Sequence, residues 1–133
     1  MRLSMLGARV AGAATVLALA LGGCASAQDG DVRDVAVDFV DPGLAPDARC
    51  DLLAAATRAA LESEESAACP DVIGDLPLAG GAVESVEIWG GNAQVRLSGD
   101  TVFLTETSTG WRVVAAACES RGEAPYDCEV EGP

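Results

Sequence analysis

The chain has 133 residues, a length at which a single domain is expected. It contains 21 Asp and Glu against eight Arg, with no Lys and no His, and its net charge at pH 7 is −13. A surface this negative repels phosphate backbones, so we expect no nucleic-acid partner. The absence of His removes the commonest general base and the commonest transition-metal ligand. We therefore predict no catalytic residue, no metal and no cofactor.

Residues 1–23 have the features of a cleaved signal peptide. A basic start with Arg2 and Arg9 precedes an apolar run at positions 10–21, which is shorter than the roughly 20 residues that a membrane-spanning helix needs. The run ends in Leu21-Gly22-Gly23-Cys24, which resembles the lipobox of bacterial lipoproteins, where the Cys receives diacylglycerol and becomes the first mature residue. We predict that Cys24 is lipidated and anchors the protein at the extracytoplasmic face of the cell membrane.

A competing cleavage site follows the lipobox directly. Ala25-Ser26-Ala27 has the A-x-A form and would release a soluble protein that begins at Gln28. The position of Cys24 at the end of the apolar run favours lipidation, because a secreted chain has no reason to carry a Cys there. Cleavage before Cys24 leaves six Arg against 21 acidic residues, so the mature chain has a net charge of −15.

The N-terminal half of the mature chain predicts helices. Residues 24–30 are small and polar and are expected to form the lipidated tether, and residues 31–133 are expected to form one small domain. Apolar residues at helical spacing predict a first helix from Asp31, stopped by Asp41-Pro42-Gly43. Asp47 can cap a second helix, and the Pro and Gly residues after it indicate a loop.

The C-terminal half predicts strands. Short apolar runs at 85–89, 93–98, 101–106 and 111–118 are separated by hairpin turn signals such as Gly90-Gly91-Asn92. Helices followed by such a meander predict an α+β fold. We expect two to three N-terminal helices packed on one face of a curved antiparallel sheet of four to five strands.

This order of elements, ending in Gly110-Trp111-Arg112-Val113, is similar to the cone-shaped domains of the nuclear-transport-factor-2-like superfamily, especially uncharacterised actinobacterial lipoproteins. The other segments that carry the resemblance are Cys50-Asp51-Leu52-Leu53, residues 56–61, residues 101–104 and Tyr126-Asp127-Cys128. The resemblance implies a fold and no particular reaction, because related domains include ketosteroid isomerase-like enzymes and many non-enzymes. This chain also lacks any His for the acid–base sites of the enzymes.

Four cysteines remain once Cys24 is assigned to lipid: Cys50, Cys69, Cys118 and Cys128. An even set in an oxidising compartment predicts two disulfides. A bond between Cys118 and Cys128 would hold the C-terminal strand on the sheet, and Cys50 would then pair with Cys69. A redox or zinc–thiolate site is disfavoured, because the sequence has no C-x-x-C motif and no His.

The pairing of Cys50 with Cys69 constrains the second helix. A straight helix from Cys50 to Glu65 would rise about 22 Å, whereas four extended residues return only about 14 Å. Either the helix ends or bends before about Glu62, or the pairing is different. We expect a break near residues 54–56.

Three groups of residues are candidates for a functional site. Aromatic side chains that could line a ligand pocket, or simply fill the core, are Trp89, Phe103 and Trp111. Carboxylates that could act as a buried general base, or face outward, are Glu84, Glu87 and Glu106. The acidic residues between Asp29 and Asp41 predict a solvated helix face, since no tight loop gathers them around Ca²⁺.

These observations predict a membrane-anchored, non-catalytic lipoprotein that binds an envelope protein or a small apolar ligand through the mouth of the cone. Its acidic surface favours a basic partner. The alternatives are an enzyme of the isomerase or dehydratase type with one pocket carboxylate as its base, and a passive structural protein of the envelope. A filled interior would argue against the ligand and the enzyme, whereas a roomy cavity with an inward carboxylate would favour them.

Overall fold

A computed structural model describes residues 23–133, with their side chains from residue 27 onward. The predicted signal peptide up to residue 22 and the side chain of Cys24 lie outside the described residues. Four helices come first: α1 (Gly23–Val40), α2 (Pro46–Asp51), α3 (Ala55–Glu65) and α4 (Cys69–Val72), which continues into a 3₁₀ turn, Ile73–Asp75. No helix in this described part is long and apolar enough to span a membrane.

Five antiparallel strands follow in the order in which they occur along the chain: β1 (Val83–Trp89), β2 (Asn92–Leu97), β3 (Thr101–Thr107), β4 (Gly110–Arg121) and β5 (Ala124–Glu131). The sheet is curved and does not close, and the helices pack against one of its faces. The α+β prediction is therefore confirmed. A meander arises because each strand is joined to the next by a short turn, which favours antiparallel neighbours.

Helix α1 buries Val32, Ala36, Phe39 and Val40, which recur every three or four residues along one side. The described part of the helix already includes residues 24–30, ahead of the predicted start at Asp31. Small residues such as Ala favour helix and no Pro interrupts them, which explains the longer helix. The role of this segment as a link to a lipid anchor stays a prediction.

The chain leaves the helical conformation between α2 and α3, at residues 52–54, close to the predicted break. Leu53 forms a parallel bridge with Val113 of β4. The Ala54 N–H donates to the Val113 carbonyl over 2.9 Å, and the Val113 N–H donates to the Leu52 carbonyl over 2.8 Å. The Leu52 carbonyl and the Ala54 N–H, which leave the helical pattern here, thus find their partner in the sheet, and the break lets Cys69 return to Cys50.

Apolar side chains fill the space between the helices and the sheet. Those that are fully buried include Phe39, Ile73, Val95, Leu104 and Val113. Arg49 is buried beside them, and its Nε donates to the carbonyl of Phe39 over 2.9 Å, at the C-terminal end of α1. Burial lowers the pKa of Arg49, and Asp41 opposes that shift. This hydrogen bond joins α1 to α2. The space between helices and sheet is occupied by the protein's own side chains, which is the filled interior that argues against a small-ligand or enzyme site.

Strand β4 changes register against β3 at one point. Val113 lies opposite Leu104, but Ala115 lies opposite Phe103, so Val114 is an extra residue in a β-bulge. Ala115 therefore shares a face with Phe103, whereas Val113 faces the core. A second irregularity follows at Ala117, whose φ of 52° lies in the left-handed region.

Candidate functional site

Two disulfides are formed, with the predicted pairing. Cys50 of α2 bonds to Cys69 of α4, with Cα atoms 6.1 Å apart, and both residues are fully buried. Cys118 bonds to Cys128 directly opposite on β5, with Cα atoms 4.0 Å apart, and Cys128 is only partly buried. Disulfides form and persist in oxidising compartments, so the structure is consistent with an extracytoplasmic protein.

Each disulfide has a carboxylate bonded to the backbone of one of its cysteines. Glu62 accepts the Cys69 N–H over 3.0 Å and the Nε–H of Arg58 over 3.2 Å. The backbone bond from Cys69, helped by Arg58, lowers the pKa of Glu62. Asp100 accepts the Cys118 N–H over 3.0 Å. Both carboxylates thus fix the backbone beside a covalent cross-link.

Among the described residues, Asp100 is the one buried carboxylate, only 7% exposed, and it was not among the carboxylates predicted from the sequence. Its Oδ1 accepts the N–H groups of Thr101 (2.6 Å) and Cys118 (3.0 Å), and its Oδ2 accepts that of Ala117 (3.1 Å). Burial raises the pKa of Asp100, while the three N–H bonds oppose the shift. Both oxygens are therefore engaged in holding β4 and its left-handed Ala117.

Asp100 also borders an acidic surface cleft of about 290 Å³, which it shares with Glu119, Asp127 and Glu129. The sequence places Asp100 only in the turn after Gly99. No local signal reveals that its side chain reaches β4, because Ala117 and Cys118 are 17 and 18 positions further along the chain. This contact depends on the register of three strands.

The other predicted carboxylates face solvent. Glu84, Glu87 and Glu106 are all exposed on their strands. The acidic residues from Asp29 to Asp41 are exposed as well. Among the residues whose side chains are described, no three acidic or sulfur-bearing groups are placed to hold a metal ion.

The three aromatic candidates do not line one cavity. Trp111 is 5% exposed and belongs to the core, whereas Trp89 at the end of β1 is 49% exposed. Phe103 is partly buried and lies on the face of β3 opposite to Val102 and Leu104. Trp89 shares this face by register, because it pairs with Asn92 and Asn92 pairs with Thr105.

We call the face of the sheet turned away from the helices the outer face. One row of directly paired residues crosses it through all five strands: Glu87, Gln94, Phe103, Ala115 and Glu131. Tyr126 of β5 packs its ring against Phe103, with centroids 5.2 Å apart at an angle of 73°. The Gln94 Nε2 donates to the Tyr126 hydroxyl over 3.4 Å. An aromatic pair thus lies in the middle of the outer face, between two edge carboxylates.

Two clefts adjoin on the outer face. The first holds about 300 Å³ beside the Phe103–Tyr126 pair. The second holds about 410 Å³ between the start of α3 and the end of β5, and it shares Ala115 and Glu131 with the first. The cleft beside the aromatic pair is lined by strand residues and by no residue of the described helices.

The fold and its cross-links define a small α+β domain of an oxidising compartment. No known protein family matches the chain. No curated protein and no solved structure is significantly similar to it. Membership of the nuclear-transport-factor-2-like superfamily therefore stays a prediction.

Proposed function

We propose that this protein is an extracytoplasmic lipoprotein, anchored through Cys24, that binds a basic partner protein on the outer face of its sheet. The observation that carries the proposal is the uncovered aromatic pair of Phe103 and Tyr126 at the centre of that face. Large aromatic side chains supply most of the binding energy at protein interfaces, especially at their centre. The cleft beside the pair has no helix residue in its lining.

The filled interior favours a protein over a small apolar ligand as the partner. Pockets for small molecules bury most of their ligand, but the core of this domain is occupied by its own side chains. The clefts on the outer face are shallow and adjoining, a shape that suits a protruding side chain of a larger partner. The net charge of −15 on the mature chain steers basic proteins toward it.

A catalytic role is not part of the proposal. The carboxylate best placed for one is Asp100, which is buried beside a cleft. Both of its oxygens accept backbone N–H bonds, and a general base needs a free oxygen within reach of a substrate proton. Glu84, Glu87 and Glu106 are exposed to solvent on their strands.

Intact mass spectrometry of the protein from its source cells tests the anchor. We expect a mature chain that begins at Cys24 and carries diacylglycerol. A Cys24→Ser variant should then leave the membrane fraction. A chain that begins at Gln28 without lipid would overturn the anchor and leave the proposed binding face unaffected.

Site-specific photo-cross-linking tests the binding face. We place a benzophenone amino acid at Gln94, beside the aromatic pair, and as a matched control at the exposed Glu64 of α3. In the source cells we expect one discrete adduct from position 94, which excess unlabelled protein competes away, and none from position 64. The double variant Phe103→Ala/Tyr126→Ala should lose the adduct. Equal adducts from both positions, or an adduct that the double variant retains, would refute the outer face as the interface.

A further inference from the structure

The cleft beside the Phe103–Tyr126 pair combines aromatic walls with a single charge. We propose that it binds the guanidinium group of an arginine side chain on the partner protein, with Glu131 as the counter-ion. We call this cleft, of about 300 Å³, the aromatic cleft, and its other lining residues are Ala115, Pro125 and Cys128. The inference rests on the proposed binding of a basic partner, and it names the side chain by which that partner is held.

The two aromatic rings form a corner. Their centroids lie 5.2 Å apart and their planes meet at 73°, so one ring stands almost upright against the other. The Gln94 Nε2 donates to the Tyr126 hydroxyl over 3.4 Å, which helps to hold the Tyr126 ring in this orientation. Phe103 and Tyr126 are both only partly buried, so part of their surface is open to a ligand. The faces of aromatic rings attract a cation within about 6 Å of the centroid.

Glu131 supplies the only charge in the aromatic cleft. It is exposed, and its carboxylate has no hydrogen bond or ion pair among the described residues, whose ion pairs use Asp51, Glu62 and Asp127. One unpaired negative charge in an otherwise uncharged lining favours a singly charged cation. A carboxylate next to aromatic rings offers a guanidinium group both of its preferred contacts, a pair of parallel hydrogen bonds and a stacking surface.

Glu131 also lines the larger adjoining cleft, but that cleft suits a cation less well. Part of its lining is the start of α3, with Ala54, Ala56 and Thr57. The first turn of α3 has no acidic residue and no side-chain cap, so its free N–H groups leave a partial positive charge there. A cation that pairs with Glu131 is therefore favoured on the aromatic side of that carboxylate.

Shape and hydration favour arginine over lysine as the side chain that enters. The guanidinium group is planar, weakly hydrated and able to stack on an aromatic ring, whereas the lysine ammonium is compact and strongly hydrated. A second copy of this chain is not expected to supply the arginine. Two mature chains with a net charge of −15 each repel one another, whereas a basic partner is attracted.

Chemical-shift titration of the full-length oxidised chain in a non-ionic detergent tests the site. The probes are N-acetyl-arginine amide, N-acetyl-lysine amide and N-acetyl-citrulline amide, which has nearly the shape of the arginine probe without its charge. At constant ionic strength we expect saturable shifts at Phe103, Tyr126 and Glu131 with the arginine probe, at a Kd on the order of millimolar. The lysine probe should bind more weakly, and the citrulline probe should give no saturable shift. Saturable binding of the citrulline probe, or equal binding of the lysine and arginine probes, would overturn the inference.

Variants decide which groups are responsible. Glu131→Gln should weaken binding of the arginine probe about tenfold, the value of one charge-assisted bond. Glu129→Gln is the matched control and should leave binding unchanged, because Glu129 is also exposed on β5 but lines the acidic surface cleft instead. Tyr126→Phe keeps the ring and should keep the affinity, whereas Tyr126→Leu should weaken binding about two- to fivefold. Unchanged binding in Glu131→Gln, or an equal loss in Glu129→Gln, would overturn the inference.

Photo-cross-linking from position 94 separates this inference from the proposed function. Glu131→Gln should lower the yield of the partner adduct in the source cells, and Glu129→Gln should not. A discrete adduct whose yield is the same in Glu131→Gln, together with no saturable binding of the arginine probe, overturns the arginine site and leaves the outer face as the interface. The absence of any adduct in the wild type refutes the proposed function itself.

Discussion

Asp100→Ala offers the sharpest test of how the sheet is held together. The substitution leaves the N–H groups of Thr101 and Cys118 without their buried acceptor, and also that of Ala117. A buried donor without a partner costs about 1–3 kcal/mol. The Ala117 N–H is only partly buried and can reach water through the neighbouring cleft, so we count two donors, or about 2–6 kcal/mol.

An opposing effect reduces this figure. Burial raises the pKa of Asp100, which means that the folded protein loses free energy by holding the carboxylate away from water. Removing the carboxylate recovers that loss. We therefore expect the lower part of the range, a decrease in the free energy of unfolding of about 2–3 kcal/mol. Domains of this size have total stabilities of about 5–15 kcal/mol, so the effect is large.

Urea unfolding of the oxidised full-length chain, followed by far-UV circular dichroism, measures the change. Glu119→Ala is the matched control, because Glu119 lines the same cleft and is exposed. It should change the free energy of unfolding by less than about 0.5 kcal/mol. If Asp100→Ala is as stable as the control at an unchanged m-value, Asp100 does not hold the backbone as described and the reasoning is refuted.

The disulfides, the titration of Asp100 and the two tryptophans each give a further prediction. Reduction by a limiting amount of a water-soluble phosphine, followed by alkylation and peptide mapping, should label Cys118 and Cys128 before Cys50 and Cys69. The reason is that Cys128 borders a surface cleft, whereas both sulfur-bearing residues of the other pair are fully buried. Simultaneous labelling of the two pairs would contradict this. Because the pKa of Asp100 is raised in the folded protein, its contribution to stability is full below the unfolded pKa of about 3.9 and is lost as the pH rises through the folded pKa. In urea unfolding, the free-energy advantage of the wild type over Asp100→Asn should therefore shrink from acidic to neutral pH. Trp111→Ala should lower the free energy of unfolding by about 3–5 kcal/mol, and Trp89→Ala by less than about 1 kcal/mol, because Trp111 is buried and Trp89 is exposed. For the same reason, Trp89→Phe should remove the part of the tryptophan fluorescence that acrylamide quenches.

The fold was predictable where its determinants are local. Hairpin signals such as Gly90-Gly91-Asn92 fix antiparallel neighbours, and the apolar spacing from Val32 to Val40 fixes the buried side of α1. The helix break near residue 54 followed from the reach of the chain between Cys50 and Cys69. These arguments need only nearby residues and standard element lengths.

The candidate sites depend on contacts between distant residues. Phe103 was predicted as an aromatic candidate, but its partner Tyr126 lies two strands away. The bulge at Val114 places Ala115 on the same face as Phe103. A bulge has no reliable sequence signal, and one extra residue changes the face of every side chain that follows.

The bridge between Leu53 and Val113 also sets the order in which the chain can fold. The Leu52 carbonyl and the Ala54 N–H can bond to Val113 only after β4 has been made, so the join between α2 and α3 is completed late. An N-terminal fragment ending at residue 81 should stay largely unfolded. We therefore expect the helices and the sheet to fold together, once β4 is available, and not one after the other.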